Sequence, residues 1–344
     1  MMQQKLSVGV IFGGRSGEHD VSLNSARSIL AALDPHKYSV TQIGITQQGV
    51  WLAGKDAHDT TVHDAFLRNS TDGLTPVTIL PDPNFKGVYT AKRGVFELFA
   101  KLDVVFPVLH GTFGEDGTLQ GLLELNDIAY VGAGVVGSAV SMDKAICKDV
   151  LRSHAIPVID WKVILRAHIE QDLSSAVQAA EQVAPYPLFV KPANLGSSVG
   201  ISKCHNHADL LEGLIEAARY DRRVIVERGI SAREIEIGVL GNENPQISVA
   251  GEIIPSREFY SYEAKYLDDR SELLIPAALS ADLERDIREY ALRAYQVTDC
   301  AGMARVDFLL DKDTGGLYLS ELNTIPGFTK ISMYPKVWEA SGVS

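Results

Sequence analysis

Over the first third of the chain, short apolar runs alternate with stretches whose apolar residues recur at helical spacing. LSVGVIFGG (6–14), YSVTQIGIT (38–46) and LDVVFPVLHG (102–111) predict strands, while SLNSARSILAAL (22–33) and LQGLLELN (119–126) predict helices, a rhythm of parallel βα units. A second βα segment follows. It runs through the helical SMDKAICKDVLRSHA (141–155), then WKVIL, the helix-like SSAVQAAEQVA, YPLFVKPA and VIVERGI. The last third changes character: 233–253 and 305–323 each read as two strand runs around a turn rich in Asn, Asp or Gly, the pattern of antiparallel hairpins. Between them, residues 256–279 mix aromatic and charged side chains with no clean period and predict a long functional loop. The expected fold class is α/β with an α+β C-terminal part, with boundaries near residues 142 and 230.

Composition narrows the function classes. The 344 residues suffice for two or three domains, and a formal charge of −12 argues against nucleic acid or an anionic membrane as the main partner. Cys147, Cys204 and Cys300 lie far apart with no CxxC spacing, which fits reduced, buried thiols in a cytosol. The N-terminus runs directly into a strand pattern, and no stretch has the length of a membrane span, so a cytoplasmic protein is expected.

Two glycine-rich turns offer competing chemistry. Gly132, Gly134 and Gly137 form G-x-G-x-x-G before a helix, the context of a dinucleotide fingerprint, although the motif follows several strands; a tight linking turn is the alternative. The first turn carries Gly13, Gly14 and Gly17 but lacks the Lys-Ser/Thr ending of a P-loop. Glu18 in that turn has two readings: a carboxylate favoured by the helix dipole, or a group at the C-terminal end of the first strand that could hold an ammonium.

The last hairpin carries the sharper signal. Centred on Thr314, its pairs sum to 628, so Asp307 faces Glu321 and Arg305 faces Asn323, all four on one face barring a bulge. Two facing carboxylates need a positive partner, and an oxygen-only set of Asp, Glu and Asn suits Mg²⁺ better than zinc, with substrate phosphates completing its coordination. A solvated polar face is the plainer alternative. Phosphate-binding groups are available in FVKPANLGSSVGIS, where Lys191 ends a strand before the Gly196–Gly200 loop, and in Lys144.

Taken together, GGRSGEHDVSLNSA, HGTFGEDGTLQG, SMDKAICK, VKPANLGSSVGISK, YEAKYLDD, GMARVDFLL and ELNTIPGFTKISMYP occur in one order across nearly the whole chain. In this the chain closely resembles the D-alanine–D-alanine ligases of the ATP-grasp superfamily. The resemblance implies a three-domain ATP-grasp fold: 1–142 an N-terminal parallel-sheet domain, 143–230 the central domain, and 231–344 the C-terminal domain with the metal site and mobile loop. It implies ATP as substrate, two Mg²⁺ ions with Mn²⁺ as an alternative, D-alanine as the other substrate, and a homodimer.

By motif, Lys144 and Lys191 match phosphate-binding lysines, and Ser198 lies in the loop that covers the phosphates. Glu227 and Glu234 match the adenine-side and ribose positions. Asp307, Glu321 and Asn323 match the magnesium ligands. Glu18 resembles the residue that holds the first D-alanine's ammonium, in a set with Ser197 and Tyr266, and His110 matches an active-site histidine. Arg305 and the backbone N–H of Gly327 match the oxyanion pair, while Lys265 and Ser332 match the positions that bind the second D-alanine's carboxylate. The implied reaction forms an acyl phosphate and then a dipeptide for peptidoglycan synthesis. Retention of Lys265 with Tyr266 favours D-alanine as acceptor. D-serine or D-lactate as acceptor, or a nucleotide-binding regulator without turnover, are the rival readings. The sequence ends at WEASGVS, where family members usually continue into a final helix.

Overall fold

The computed structural model describes residues 5–54, 61–196, 199–254 and 272–344. The chain divides into two compact units. One holds Met1–Ala139, Cys300–Ala304 and Thr324–Pro335; the other holds Val140–Asp299, Arg305–Asn323 and Lys336–Ser344.

The first unit opens with β1 (Leu6–Gly13), α1 (His19–Ala32), β2 (Tyr38–Ile45), β3 (Trp51–Ala53), α2 (Thr61–Leu67) and β4 (Thr75–Pro76). A ribbon of β5 (Val88–Lys92) and β6 (Val95–Ala100) follows, then β7 (Val104–Val108), α3 (Thr118–Asn126), β8 (Ala129–Tyr130) and α4 (Val135–Met142), whose end passes into the second unit. The main sheet has the order β4-β3-β2-β1-β7-β8. Its centre is parallel, as the βα rhythm predicts, and β3 and β4 add an antiparallel edge. Because side chains alternate along a strand, β1 feeds two cores. Val8, Val10 and Phe12 pack with Leu23, Ala26 and Ile29 of α1, whereas Ile11 packs with Leu119 and Leu123 of α3. Both faces of β1 are thereby covered, and its polar business is left to its C-terminal end.

The second unit continues with α5 (Lys144–Ser153), β9 (Trp161–Leu165), α6 (Arg166–Gln171), α7 (Leu173–Glu181), β10 (Leu188–Pro192), β11 (Ser202–Cys204), α8 (His207–Tyr220) and β12 (Arg223–Arg228). These strands form a sheet of order β11-β10-β12-β9. α5 and α7 fall where the sequence predicts helices, α6 and α8 were not singled out there, and every neighbouring strand pair is antiparallel. The helical crossover does leave β9 and β10 running the same way; β12 then inserts between them and runs against both. Ile164, Leu188, Val190, Val224 and Val226 pack under Ala176, Leu210, Leu214 and Ala217 of α7 and α8. The alternate residues Phe189, Lys191, Ile225 and Glu227 point to the opposite face.

Next come β13 (Ala232–Leu240), β14 (Gln246–Ile254), β15 (Glu272–Leu274), α9 (Ala281–Val297), β16 (Met303–Asp311), β17 (Leu317–Asn323) and α10 (Met333–Ala340). Both expected hairpins form, β13 with β14 and β16 with β17, within a sheet ordered β15-β14-β13-β16-β17. Asp311 shapes the last turn by accepting the N–H groups of Asp313 and Thr314 on Oδ1. Most of the long loop expected over 256–279 lies outside the described residues. Among the described residues, no helix is long and apolar enough to cross a membrane.

Candidate functional site

In the first unit the C-terminal end of β1 turns through Gly13 and Gly14, both at positive φ (89° and 97°), a conformation that an L side chain would resist. Ser22 Oγ accepts the Gly13 N–H at 2.7 Å and donates to the Val108 carbonyl, locking β1 to β7. Ser16 Oγ donates to the His110 carbonyl at 2.7 Å and accepts the Glu18 N–H at 3.2 Å. Glu18 is buried beside this turn, ahead of the first residue of α1.

His110 ties the turn after β7 to the segment that follows β17. Its Nδ1 lies 2.9 Å from the Ile325 carbonyl and its Nε2 3.0 Å from Ser25 Oγ. A carbonyl only accepts, so Nδ1 carries the hydrogen; Nε2 then accepts from the Ser25 hydroxyl. Ser25 Oγ also accepts the Phe328 N–H at 3.2 Å. Glu115 works in parallel: Oε2 accepts the Gly111 N–H and Oε1 the Ile325 N–H, each at 2.8 Å. These bonds hold the 325–328 backbone, including Gly327, against α1 and the turn after β7. Ser332 lies close to Gly327, and its hydroxyl accepts the Thr329 N–H at 3.0 Å.

In the second unit Lys144 opens α5 behind an Asp143 cap, whose carboxylate accepts the N–H groups of Ala145 and Ile146 at 3.1 and 3.0 Å. Its ammonium donates to the Leu195 carbonyl at 2.7 Å, at the start of the Gly/Ser loop. One turn on, Lys148 is almost fully buried. It pairs with Glu227 Oε1 at 3.2 Å, and Lys191 takes Oε2 at 2.7 Å. Burial alone pushes the Glu227 carboxyl up, but the two ammonium charges outweigh it and hold it at about 2. Burial likewise works to lower the Lys191 ammonium, yet Glu227 carries it above its ordinary range. The charges of Glu321 and Glu234 on the neighbouring sheet add to that effect.

On that sheet Asp307 faces Glu321 and Arg305 faces Asn323, the expected pairs. A one-residue irregularity lies between them and the turn: Phe308 faces Leu319, which leaves Ser320 as the extra residue. Arg305 Nε and Nη2 donate to the two oxygens of Asp307 at 2.8 and 2.7 Å, and Asn323 Nδ2 reaches Asp307 Oδ2 at 3.0 Å. Burial works against the Arg305 charge, and Asp307 and Glu236 overcome it, so the group is held well above its ordinary range. No group of three or more His, Cys, Asp and Glu side chains that could hold a metal ion occurs among the described residues. Two carboxylates and an amide, with a guanidinium lying across one carboxylate, still fit a hard divalent cation by donor type and by the negative charge that needs neutralising. Ser197, Ser198, Lys265 and Tyr266 lie outside the described residues.

Ser25, Glu115, Lys148 and Glu236 are among the residues of these clusters that were not singled out from the sequence. Lys148 had a usable signal, since it stands four residues after Lys144 and so shares its helix face. Ser25 and Glu115 lie inside quoted motifs, but their partners Phe328 and Ile325 are 303 and 210 residues away along the chain. Spacing alone does not reveal such pairs.

Two family models cover most of the sequence, D-ala D-ala ligase N-terminus over residues 7–133 and D-ala D-ala ligase C-terminus over residues 150–344. The chain belongs to the D-ala D-ala ligase family. Among curated relatives, the D-alanine--D-alanine ligase of Thermoanaerobacter sp. (strain X514) is 51% identical over 342 residues, spanning 99% of this chain and 93% of its own. That of Natranaerobius thermophilus is 48% identical over 341 residues, with 99% and 92% covered. Among solved structures, the D-alanine-D-alanine ligase of Coxiella burnetii superposes with a TM-score of 0.83 at 37% identity, covering 99% of this chain and 90% of that one. The VanG D-Ala:D-Ser ligase of Enterococcus faecalis gives a TM-score of 0.86 at 35% identity, with 99% and 96% covered. Membership makes the fold that of the ATP-grasp ligases and the chain an ATP-dependent ligase.

Proposed function

We propose that the chain condenses two D-alanines into D-alanyl-D-alanine through a D-alanyl phosphate, converting ATP to ADP and phosphate and supplying a peptidoglycan precursor in the cytoplasm. The observation that carries this reading is the face of β16 and β17, where Arg305, Asp307, Glu321 and Asn323 gather and the Glu321 charge acts on Lys191.

The chemistry has a plain physical need. A carboxylate is too electron-rich for an amine to attack, and phosphorylation turns it into an electrophile. In this reading Glu18 orients the first D-alanine through its ammonium, and its carboxylate attacks the terminal phosphoryl of ATP in line. Lys144 and Lys191 neutralise phosphate oxygens, with Ser198 in the loop above them, and Glu227 and Glu234 take the adenine and ribose sides. Asp307, Glu321 and Asn323 would hold two magnesium ions, which when bound spread the phosphate charge. Ser197 and Tyr266 complete the set around Glu18. The amine of the second D-alanine, whose carboxylate is assigned to Lys265 and Ser332, then attacks the acyl phosphate. Arg305 and the Gly327 N–H receive the tetrahedral oxyanion, and phosphate leaves. His110 acts by fixing the 325–328 backbone.

We further take residues 1–142, 143–230 and 231–344 as three domains, the last two being the four- and five-stranded sheets that hold ATP, and the active species as a homodimer. D-Serine as acceptor is the second reading, favoured by the likeness to the D-Ala:D-Ser ligase structure; the higher identity to D-alanine--D-alanine ligases speaks for D-alanine. The deciding experiment is phosphate release from Mg-ATP with D-alanine, with the product identified by mass, beside mixtures containing D-serine or D-lactate. D-Alanyl-D-alanine is expected. A mixed product alone would move the chain to another acceptor class, and nucleotide binding without turnover would make it a regulator.

A further inference from the structure

Arg305 touches two carboxylates, and it treats them differently. Its fork is closed on Asp307, with Nε on Oδ1 at 2.8 Å and Nη2 on Oδ2 at 2.7 Å. Glu236 of β13 brings Oε2 to 2.9 Å from the same Nε. Nε carries a single hydrogen, and that hydrogen is directed at Asp307. The Glu236 contact is therefore an ion pair held at hydrogen-bond distance without the hydrogen bond. All three side chains are largely buried, at 17%, 14% and 9% exposure for Arg305, Asp307 and Glu236.

Asp307 cannot offer the same lone pairs to a guanidinium fork and to a divalent cation. Arg305 and Asn323 already occupy three of the roughly four lone-pair sites of Asp307, so a cation that takes both carboxylate oxygens displaces Arg305, and a buried guanidinium that loses its anion without replacement is strongly disfavoured. A rotation about the Arg305 side chain moves the Nε hydrogen from Asp307 to Glu236 with little change in distance, since Oε2 already lies 2.9 Å from Nε. The charge then stays in the site and remains compensated.

We propose that Glu236 is a positioning residue for Arg305: it receives the guanidinium when Asp307 turns to the cation, and so makes cation loading easier. The proposal rests on the reading of Asp307, Glu321 and Asn323 as cation ligands. It gives Glu236 a part in neither metal nor substrate contact. Its work is to keep the arginine at hand between one role and the next.

The test is Mn²⁺ binding in the presence of ADP, followed by electron paramagnetic resonance or calorimetry with the full chain, which needs no turnover. Glu236→Gln is expected to weaken Mn²⁺ about tenfold, a coupling in the range of contacting charged pairs. Glu236→Asp should restore most of the affinity. Loss of a negative charge also weakens a nearby cation, so the decisive comparison is with Arg305→Met. In that background no guanidinium needs a new partner, and adding Glu236→Gln should cost less than about threefold. Equal losses with and without Arg305, or no loss in Glu236→Gln, would overturn the proposal while leaving the cation site standing. Unchanged Mn²⁺ affinity in Asp307→Asn would overturn the cation reading itself, and the proposal with it.

Discussion

Lys191 Nζ lies 2.7 Å from Glu227 Oε2 on one face of the four-stranded sheet, and Lys148 closes the other carboxylate oxygen from α5. Glu227 is one anion between two cations, nearly out of water. Removing Lys148 as Lys148→Met leaves part of that charge uncompensated and should lower unfolding stability by about 3 kcal/mol, read from urea melts. A change below about 0.5 kcal/mol, the range of ordinary surface substitutions, would show that the pair is not coupled as described.

The same carboxylate sets an acid limit. Its folded pKa of about 2 lies below the ordinary value of 4.5, so the unfolded chain binds the proton first as pH falls. Stability from this group is fully present above about pH 4.5 and drains away as pH drops toward 2, by about 3 kcal/mol in all. Denaturant midpoints for wild type and Glu227→Gln between pH 6 and pH 3 should converge, the wild type losing its advantage toward the acid end. Parallel curves would contradict the assignment.

Gly111 sits at a φ of 73°, and a Cβ built there would run into the Glu18 carboxylate. Gly111→Ala therefore adds backbone strain and displaces the group assigned to the first D-alanine. Turnover with D-alanine should fall at least about a hundredfold, the scale of a misplaced orienting group, while ADP binding stays near wild type. Full activity in the alanine variant would remove Glu18 from its proposed role.

Ser25 gives one hydroxyl to two bonds, donating to His110 Nε2 and accepting from the Phe328 N–H. Ser25→Ala leaves a buried imidazole nitrogen and a backbone N–H without this partner, at a cost of about 1–3 kcal/mol. Hydrogen exchange of the Phe328 amide should accelerate in step. Its exchange rate remaining at the wild-type value would mean that the segment is held elsewhere.

The cysteines are buried in the fold, and burial pushes the Cys204 thiol up to about 11, with the Asp209 charge adding. A thiol so protonated is a poor nucleophile at neutral pH. In a chromogenic disulfide assay, native protein should release little colour until denaturant frees all three thiols; rapid reaction of the native chain would place at least one of them at the surface.

Much of this was legible in the residues, for reasons that differ from element to element. The parallel centre of the first sheet follows from strands and helices in strict alternation, because a right-handed crossover returns the chain in the same direction. In the second unit the same alternation included the β12 run VIVERGI but not its slot, since β12 inserts between β9 and β10 and runs against both through contacts distant in sequence. The parity argument for Asp307, Glu321 and Asn323 succeeds because Glu321 and Asn323 both lie beyond the irregularity at Ser320. Counted back from the turn alone, where Leu310 faces Leu317, the pairs sum to 627 and the opposite parity would have been expected. Glu236 was invisible for another reason: its significance lies in which atom of Arg305 already has its hydrogen spoken for, and only the folded geometry carries that.

The extra residue at Ser320 splits one seven-residue strand into two segments half a period out of step. In the part nearer the turn, Leu319 answers to the core; in the part beyond, Leu322 does, and Glu321 and Asn323 are turned the other way. The packing residue of the turn side and the proposed ligands thus occupy separable cassettes. The turn-side cassette can be exchanged for another hairpin end of matching length without rotating the carboxylate, so long as the bulge travels with the site.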